Sequence, residues 1–225
     1  MRPWSKLPSW WFRPGEEALT GLKGGQKAGE SQAALRVYLG LAAAERADPA
    51  GFVVQASLSE LEDLTQLSRV MVLRGINRAV EAGLITYAPG GPQASSTFQL
   101  ERPDEGSGGW AKMPIREVRE RVPQLPHRGA NALVALKLYL ILLAGRSNTN
   151  TVVALKHTTM RDKSGAQPNQ IRTGISLLAN VGLIHVITET TDGEHQVQRY
   201  QLVGRLEAPR RWAEAVPMDS GPASL

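Results

Sequence analysis

The chain has 225 residues, of which 42% are hydrophobic and 21% are charged, a composition typical of a globular protein with one large or two small domains. The absence of cysteine excludes disulfides, thiolate zinc sites and cysteine nucleophiles, and it is consistent with a reducing cytoplasm. A formal net charge of +5 and a pI near 9.7 favour an anionic partner.

The amino-terminal segment, MRPWSKLPSWWFRPGEE at residues 1–17, lacks the apolar stretch and the cleavage site of a secretory signal. Its aromatic residues precede a helix, where such side chains usually pack against their own domain; these are Trp4, Trp10, Trp11 and Phe12. The longest apolar run, residues 132–145, contains Lys137 and is shorter than the roughly 20 residues that span a bilayer. We therefore expect a cytoplasmic protein without a membrane segment.

The first long helix is predicted at residues 33–44, AALRVYLGLAAA, and a short strand follows at Val53 and Val54. Ser57 and Glu60 then form a capping-box pattern, in which each side chain accepts a hydrogen bond from the other residue's backbone N–H. This pattern predicts the start of a short helix with the sequence LSELEDLTQ.

A second helix is predicted to begin after Ser68, which is placed to cap it, and to end before a left-handed Gly83. Its core positions recur at spacings of four and three and share one face: Val72, Ile76 and Ala79. The outward positions are Arg69, Val70, Met71, Leu73, Arg74, Asn77 and Arg78. Two helices joined by a tight turn are typical of a helix-turn-helix, whose second helix enters the DNA major groove. Alternatively, the arginines belong to an ordinary solvated helix face and do not contact DNA, since Glu81 is placed to pair with one of them.

The second half of the chain repeats the first. WSKLP at residues 4–8 corresponds to WAKMP at 110–114, and residues 52–85 align without a gap with residues 151–184. The segment ERPDEGSGGW between the halves has the composition of a linker. These features predict a first domain at 1–104, a second domain at 105–205 and a partly disordered tail at 206–225.

The second copy keeps the scaffold of the first and changes its outward residues. Pro168 suits the first turn of a helix, and Gly182 takes the place of Gly83. The core positions become Ile171, Ile175 and Leu178, and the outward positions become Asn169, Gln170, Arg172, Thr173 and Ser176. Asn and Gln pair with adenine and Arg with guanine, so the two helices are expected to recognise different half-sites.

The segment LSELEDLTQLSRVMVLRGINRAVEAGLI resembles the core motif of the winged helix-turn-helix family, and TTMRDKSGAQPNQIRTGISLLANVGLI resembles it more weakly, with Lys163 in the place of Leu64. The resemblance implies a mainly α chain with small β-hairpin wings, an α+β fold of two tandem winged helix-turn-helix domains. The wings would be TYAPGGPQASSTFQL and HVITETTDGEHQVQRYQL. The opening WSKLP is also similar to the amino-terminal modules of phage replisome organisers, and two such domains in one chain resemble plasmid replication initiators.

The residues predicted to contact DNA are Ser68, Arg69, Met71, Arg74, Asn77, Arg78, Asn169, Gln170, Arg172, Thr173 and Ser176. The wings are expected to contribute little, because the first has no basic residue at its tip. The second carries Glu189, Asp192 and Glu194, which repel phosphate, beside His195 and Arg199.

Catalysis, cofactors, metals and a small-molecule ligand are not predicted. The histidines, at 127, 157, 185 and 195, lack metal-ligand spacing. The segment GLKGGQK at residues 21–27 lacks the glycine and lysine pattern of a phosphate-binding loop. No acid pair, triad or nucleophile elbow is evident.

We therefore expect a non-catalytic, sequence-specific, double-stranded-DNA-binding protein that associates with the nucleoid. Transcriptional regulation is favoured, because no helicase-loading or ATP-binding segment is visible in the sequence. One alternative is a plasmid or phage replication initiator, and another is a protein-interaction subunit of an SMC-type complex. A homodimer through the long apolar helices is compatible with each role.

Overall fold

The computed structural model describes residues 3–44, 52–91, 94–101, 109–191 and 195–206. These residues form α-helices and three small antiparallel sheets, which is a mixed helix and strand architecture of the α+β kind. The predicted tail from residue 207 onward and linker residues 102–108 lie outside the described residues. Within the described ranges, every helix is too short or too polar to cross a membrane.

The described part of the first half contains four α-helices, a three-stranded sheet and one further strand that pairs with the second half. Its elements are β1 (Trp4–Pro8), α1 (Ala18–Gly21), α2 (Ala28–Ala42), β2 (Val53–Ala56), α3 (Leu58–Thr65), α4 (Arg69–Glu81), β3 (Ile85–Ala88) and β4 (Ser96–Leu100). Helices α3 and α4 pack against each other and against α2. Strand β4 lies between β2 and β3, antiparallel to both.

The second half has the same order of elements. They are β5 (Trp110–Pro114), α5 (Ile115–Arg121), α6 (Ala130–Gly145), β6 (Val152–Val153), α7 (His157–Ser164), α8 (Pro168–Asn180), β7 (Ile184–Thr191) and β8 (His195–Leu202). Strand β8 lies between β6 and β7, as β4 does in the first sheet. The hairpin of β7 and β8 is longer than that of β3 and β4.

The two helix pairs repeat at a constant interval of 99 residues. Helix α3 spans 58–65 and α7 spans 157–164, while α4 spans 69–81 and α8 spans 168–180. Even the turn between the helices is the same, since Gln66 and Gly165 are both left-handed, with φ of 53° and 67°. The glycines that end α4 and α8 are left-handed as predicted, so the internal repeat extends to individual backbone angles.

The helix starts agree only in part with their predicted caps. The capping box of α3 is confirmed, since Ser57 N donates to Glu60 Oε2 at 2.7 Å and Glu60 N donates to Ser57 Oγ at 3.1 Å. Ser68 lies at the N-cap of α4, but its side chain makes no capping bond, so that expectation is wrong. In α8 Pro168 occupies the first turn as predicted, and Gln167 forms a capping box with Gln170 that was not predicted.

One hydrophobic core runs through both halves. At its centre the two long apolar helices, α2 and α6, pack against each other and are buried from residues 31–42 and 132–143. The predicted core positions of α4 and α8 are all buried: Val72, Ile76, Ala79, Ile171, Ile175 and Leu178. The apolar surface on which a homodimer would depend is thus covered within a single chain.

The two copies of the tryptophan motif pair with each other. Strand β1 runs antiparallel to β5, and the Trp4 and Trp110 rings stack with centroids 5.8 Å apart. Trp11 is buried and its Nε1 donates to the Tyr38 hydroxyl at 3.3 Å, while Trp10 is 7% exposed. The expectation that the amino-terminal aromatic residues pack against protein is therefore confirmed.

Candidate nucleic-acid interface

The outer face of α4 carries cationic and aliphatic side chains side by side. Ser68, Arg69, Arg74 and Asn77 are exposed. Val70 and Leu73 are 59% and 38% exposed, although neither was included in the predicted site. In the described part of the chain, Arg69 and Arg74 have no ion-pair or hydrogen-bond partner. Because arginine pairs with guanine and aliphatic groups contact thymine methyls, this face is chemically suited to base edges.

Two predicted site residues of α4 turn toward the protein instead. Met71 is half-buried, with its methyl group close to Gly29 of α2. Arg78 has a side chain only 18% exposed, with Nη1 2.9 Å from Glu81 Oε2. Its Nη2 also donates to Gly21 O at 2.7 Å. Arg78 thus links the end of α4 to α1, and its pairing with Glu81 is the alternative that the sequence left open.

The outer face of α8 is polar rather than aliphatic. Asn169, Arg172, Thr173 and Ser176 are exposed, and the Arg172 guanidinium has no partner in the described part of the chain. Two hydroxyl groups bond back into the helix, since Thr173 donates to Asn169 O and Ser176 to Arg172 O, both at 3.0 Å. Gln170 is half-buried and its Oε1 accepts from Gln167 N, so part of its amide serves the helix cap. Asn169 Oδ1 likewise accepts from Gln170 N at 2.9 Å, so the side chain on this face that is both exposed and without a partner among the described residues is that of Arg172.

A buried cation holds each helix pair onto its long helix. Arg36 of α2 donates to Thr65 O at 3.5 Å, and Lys137 of α6 donates to Ser164 O at 2.7 Å. Thr65 and Ser164 end α3 and α7, where the helix dipole favours a cation. Burial lowers the pKa of Arg36 to about 10 and that of Lys137 to about 8. Neither cation was among the predicted site residues, although each is the basic residue in the matching runs ALRVYL and ALKLYL.

A second basic feature, which we call the central basic surface, comprises Lys23, Lys27 and Arg128, all exposed. These residues precede α2 and α6, whose amino ends are adjacent, since Lys23, Gly24 and Ala130 line one cavity and a Cβ added at Gly24 would lie 3.8 Å from Ala130 Cβ. No sequence pattern indicated this surface, because its two segments are about a hundred residues apart and meet only in the folded chain.

The hairpins offer little positive charge. The described tip of the first hairpin, residues 89–91 and 94–95, has no cationic side chain. In the second hairpin Arg199 Nε lies 3.1 Å from Glu189 Oε2 on the neighbouring strand, which neutralises its charge locally. Asp192 and Glu194 lie outside the described residues.

The described residues contain no group of three or more histidine or acidic side chains that could hold a metal ion. No protein-family model matches the chain, and no curated protein or solved structure matches it significantly.

Proposed function

We propose that the protein binds double-stranded DNA sequence-specifically and without catalysis, as a transcriptional regulator built from two winged helix-turn-helix units. The observation that carries the proposal is the repeat of the helix pair at an interval of 99 residues, with an exposed and unpaired arginine on each second helix. In this proposal α4 and α8 are the recognition helices, and the β3–β4 and β7–β8 hairpins are the wings.

Electrostatics supports a nucleic-acid partner. The chain has a net charge of +5, and several of its exposed cations lie on the recognition faces and the central basic surface. Arg69, Arg74 and Arg172 face outward without a counter-charge in the described residues, so contact with phosphate or a base edge would not require breaking an ion pair. The wings lack this charge, so base and phosphate contacts are assigned to the helices.

The first test is selection of bound sequences from a random duplex library at two salt concentrations. Recovery of one motif is expected, and log affinity should fall with log salt by about 0.9 per phosphate contacted. Absence of binding would reject the proposal in favour of a protein-interaction role such as that of an SMC-complex subunit. Binding without an enriched motif would reject sequence specificity.

Replacing Arg74 by Ala tests the recognition helix directly. We expect affinity for the selected motif to fall by about 1–3 kcal/mol, or roughly 5- to 150-fold, if Arg74 contacts a base. Arg116→Ala is the matched control, because Arg116 is 72% exposed on α5 and already faces Glu117 and Glu120. Equal affinities of the two variants would mean that Arg74 belongs to ordinary solvated surface.

The same interface would serve a regulator or a replication initiator, and the genomic position of the selected motif separates them. A single motif near promoters is expected of a regulator. Iterated copies of the motif at a replication origin would replace regulation with initiation.

A further inference from the structure

We propose that the two recognition helices are related by a local two-fold axis and bind one duplex at unlike half-sites in inverted orientation, one helical turn apart. The central basic surface then contacts phosphates between the half-sites. This inference rests on the proposed DNA-binding function and specifies the arrangement of its target.

The two-fold relation is visible in the pairing of β1 with β5. Trp4 pairs with Pro114 and Pro8 pairs with Trp110, so the first residue of each strand meets the last residue of the other. At the centre Lys6 pairs with Lys112, its equivalent in the motif. In such a pattern, residue i of the first copy contacts residue j of the second, and residue j of the first contacts residue i of the second. This reciprocity is the signature of a two-fold axis.

Each half also contacts the helix pair of the other. Helix α7 of the second half lies against α1 of the first, and α3 of the first half lies against residues 122–124 of the second. Arg36 of the first half donates to Leu125 O, in the segment after β5, at 2.7 Å. Lys163 of the second half donates to Arg13 O, in the segment after β1, and its Nζ lies 5.7 Å from the centre of the Phe12 ring. Each half thus supports the helix pair of the other, as two subunits of a symmetric dimer do.

Both recognition helices begin at the same end of the molecule. At one end, the carboxy-terminal parts of α2 and α6 meet the β1–β5 sheet, where Tyr38 donates to Pro8 O and Arg146 to Lys112 O. At the other end the amino ends of α2 and α6 are adjacent, and α4 starts there, with Met71 beside Gly29. The start of α8 is also there, because Gln170 shares a cavity with residues 23–24 and 130. A duplex at this end can therefore meet both helices.

The packing order sets an upper limit on the distance between the axes of α4 and α8. Helix α4 packs on α2, α2 on α6, and α6 on α8. Three interaxial distances of about 8–10 Å place the α4 and α8 axes no more than about 30 Å apart. Successive major grooves on one face of DNA lie about 34 Å apart, whereas the next spacing is about twice that. The span is therefore suited to adjacent grooves, with side chains reaching outward from each axis.

The two-fold axis and the different helix faces together determine the site. A two-fold arrangement of recognition helices requires inverted half-sites, since a duplex has its own two-fold axes. The half-sites differ because α4 presents Val70, Leu73 and Arg74 whereas α8 presents Asn169 and Arg172. The spacer phosphates face the central basic surface, which lies between the starts of the two helices.

The test gives the two faces the same side chains at four equivalent exposed positions. In one graft, α8 receives the α4 side chains at equivalent exposed positions through Asn169→Val, Arg172→Leu, Thr173→Arg and Ser176→Asn. The reciprocal graft places the α8 side chains on α4 through Val70→Asn, Leu73→Arg, Arg74→Thr and Asn77→Ser. Only exposed positions change, so both full-length variants should fold, and circular dichroism melting verifies this for each.

Selection from a random duplex library should return an inverted repeat for each graft, with half-site centres about 10 base pairs apart. A duplex with that inverted repeat should bind at least tenfold more tightly than one with the same half-sites in direct orientation. A direct repeat, a single half-site, or bridging of two separate duplexes would overturn the two-fold arrangement. If the unmodified chain enriches no motif, the proposed function itself fails.

The central basic surface is tested by Lys23→Gln, Lys27→Gln and Arg128→Gln together. The slope of log affinity against log salt should become shallower by about 0.9 for each phosphate that the variant no longer neutralises, with the selected motif unchanged. Arg116→Gln is the control, and its slope should equal that of the unmodified chain. An unchanged slope in the triple variant would overturn the assignment of spacer phosphates to this surface.

Discussion

Helix α4 lies closer to its supporting helix than α8 does, and the equivalent glycines Gly75 and Gly174 make this difference measurable. A Cβ added at Gly75 would lie 2.8 Å from the carbonyl carbon and 2.9 Å from the carbonyl oxygen of Ala33 in α2. At Gly174 the closest atom, at 2.9 Å, is Cδ1 of Leu138, and the next two are 3.3 Å away. Backbone can yield only if a whole helix moves, whereas a leucine methyl group can rotate away.

The expected cost of alanine follows from two opposing effects. Overpacking costs about 1–3 kcal/mol, and alanine in place of glycine inside a helix stabilises by about 1 kcal/mol. The clash of Gly75→Ala with backbone takes the upper end of the overpacking range, about 3 kcal/mol. After the gain of about 1 kcal/mol from alanine, this variant should have a free energy of unfolding lower by about 2 kcal/mol. With the lower end for a flexible side chain, Gly174→Ala should leave it nearly unchanged. For a chain of this size, 2 kcal/mol corresponds to a Tm lower by about 4–8 °C.

Urea unfolding and thermal melting, both followed by circular dichroism, measure these differences. Gly21→Ala is the control, because a Cβ there meets nothing within 4 Å, and its stability should not fall. Gly75→Ala should also weaken binding to the α4 half-site more than to the α8 half-site, since α4 must move away from α2. A loss of stability for Gly174→Ala equal to or greater than that for Gly75→Ala would refute the reasoning from these distances.

Two further predictions concern charge and base contact. Burial lowers the pKa of Lys137 from 10.5 in the unfolded chain to about 8 in the folded one. Between pH 8 and pH 10.5 the unfolded chain therefore binds more protons, and the free energy of unfolding rises with pH. From pH 7.5 to 9.5, urea unfolding should show the free energy of unfolding of the unmodified chain rising by about 2 kcal/mol relative to that of Lys137→Met. A difference between the two chains that does not change with pH would contradict this. The exposed Val70 and Leu73 predict contact with thymine methyl groups, so uracil in the α4 half-site should cost about 0.8 kcal/mol per methyl, roughly fourfold in affinity. Equal losses of affinity in both half-sites would argue against these side chains.

The local features of the site could be predicted because they depend on residues three or four apart. The capping box at Ser57 and Glu60, the left-handed glycines at 83 and 182, and the buried stripe from Val72 to Ala79 all follow from helix geometry. The exposure of Arg69 and Arg74 followed from the same periodicity. The repeat added a second example of each feature.

Other side chains could not be assigned from spacing alone. Arg78 has the spacing of an exposed residue, yet Gly21 approaches from another part of the chain and accepts from its guanidinium. Ser68 precedes a helix as a capping residue should, but its side chain makes no capping bond. Whether a polar group bonds locally or across the fold depends on which segment packs beside it.

The sequence by itself determined the two copies, the order of their elements from the long helix onward and most of the outward residues of each second helix, because these depend on local periodicity and turn chemistry. Only the tertiary structure decided how the copies are related. The pairing of β1 with β5 and the packing of α2 on α6 join segments about a hundred residues apart. The sequence shows that α2 and α6 are apolar and that β1 and β5 carry the same motif, but it does not show which of their surfaces meet, because that depends on the packing of the whole core. That long-range choice sets the orientation of α4 relative to α8, and with it the arrangement of the proposed DNA site.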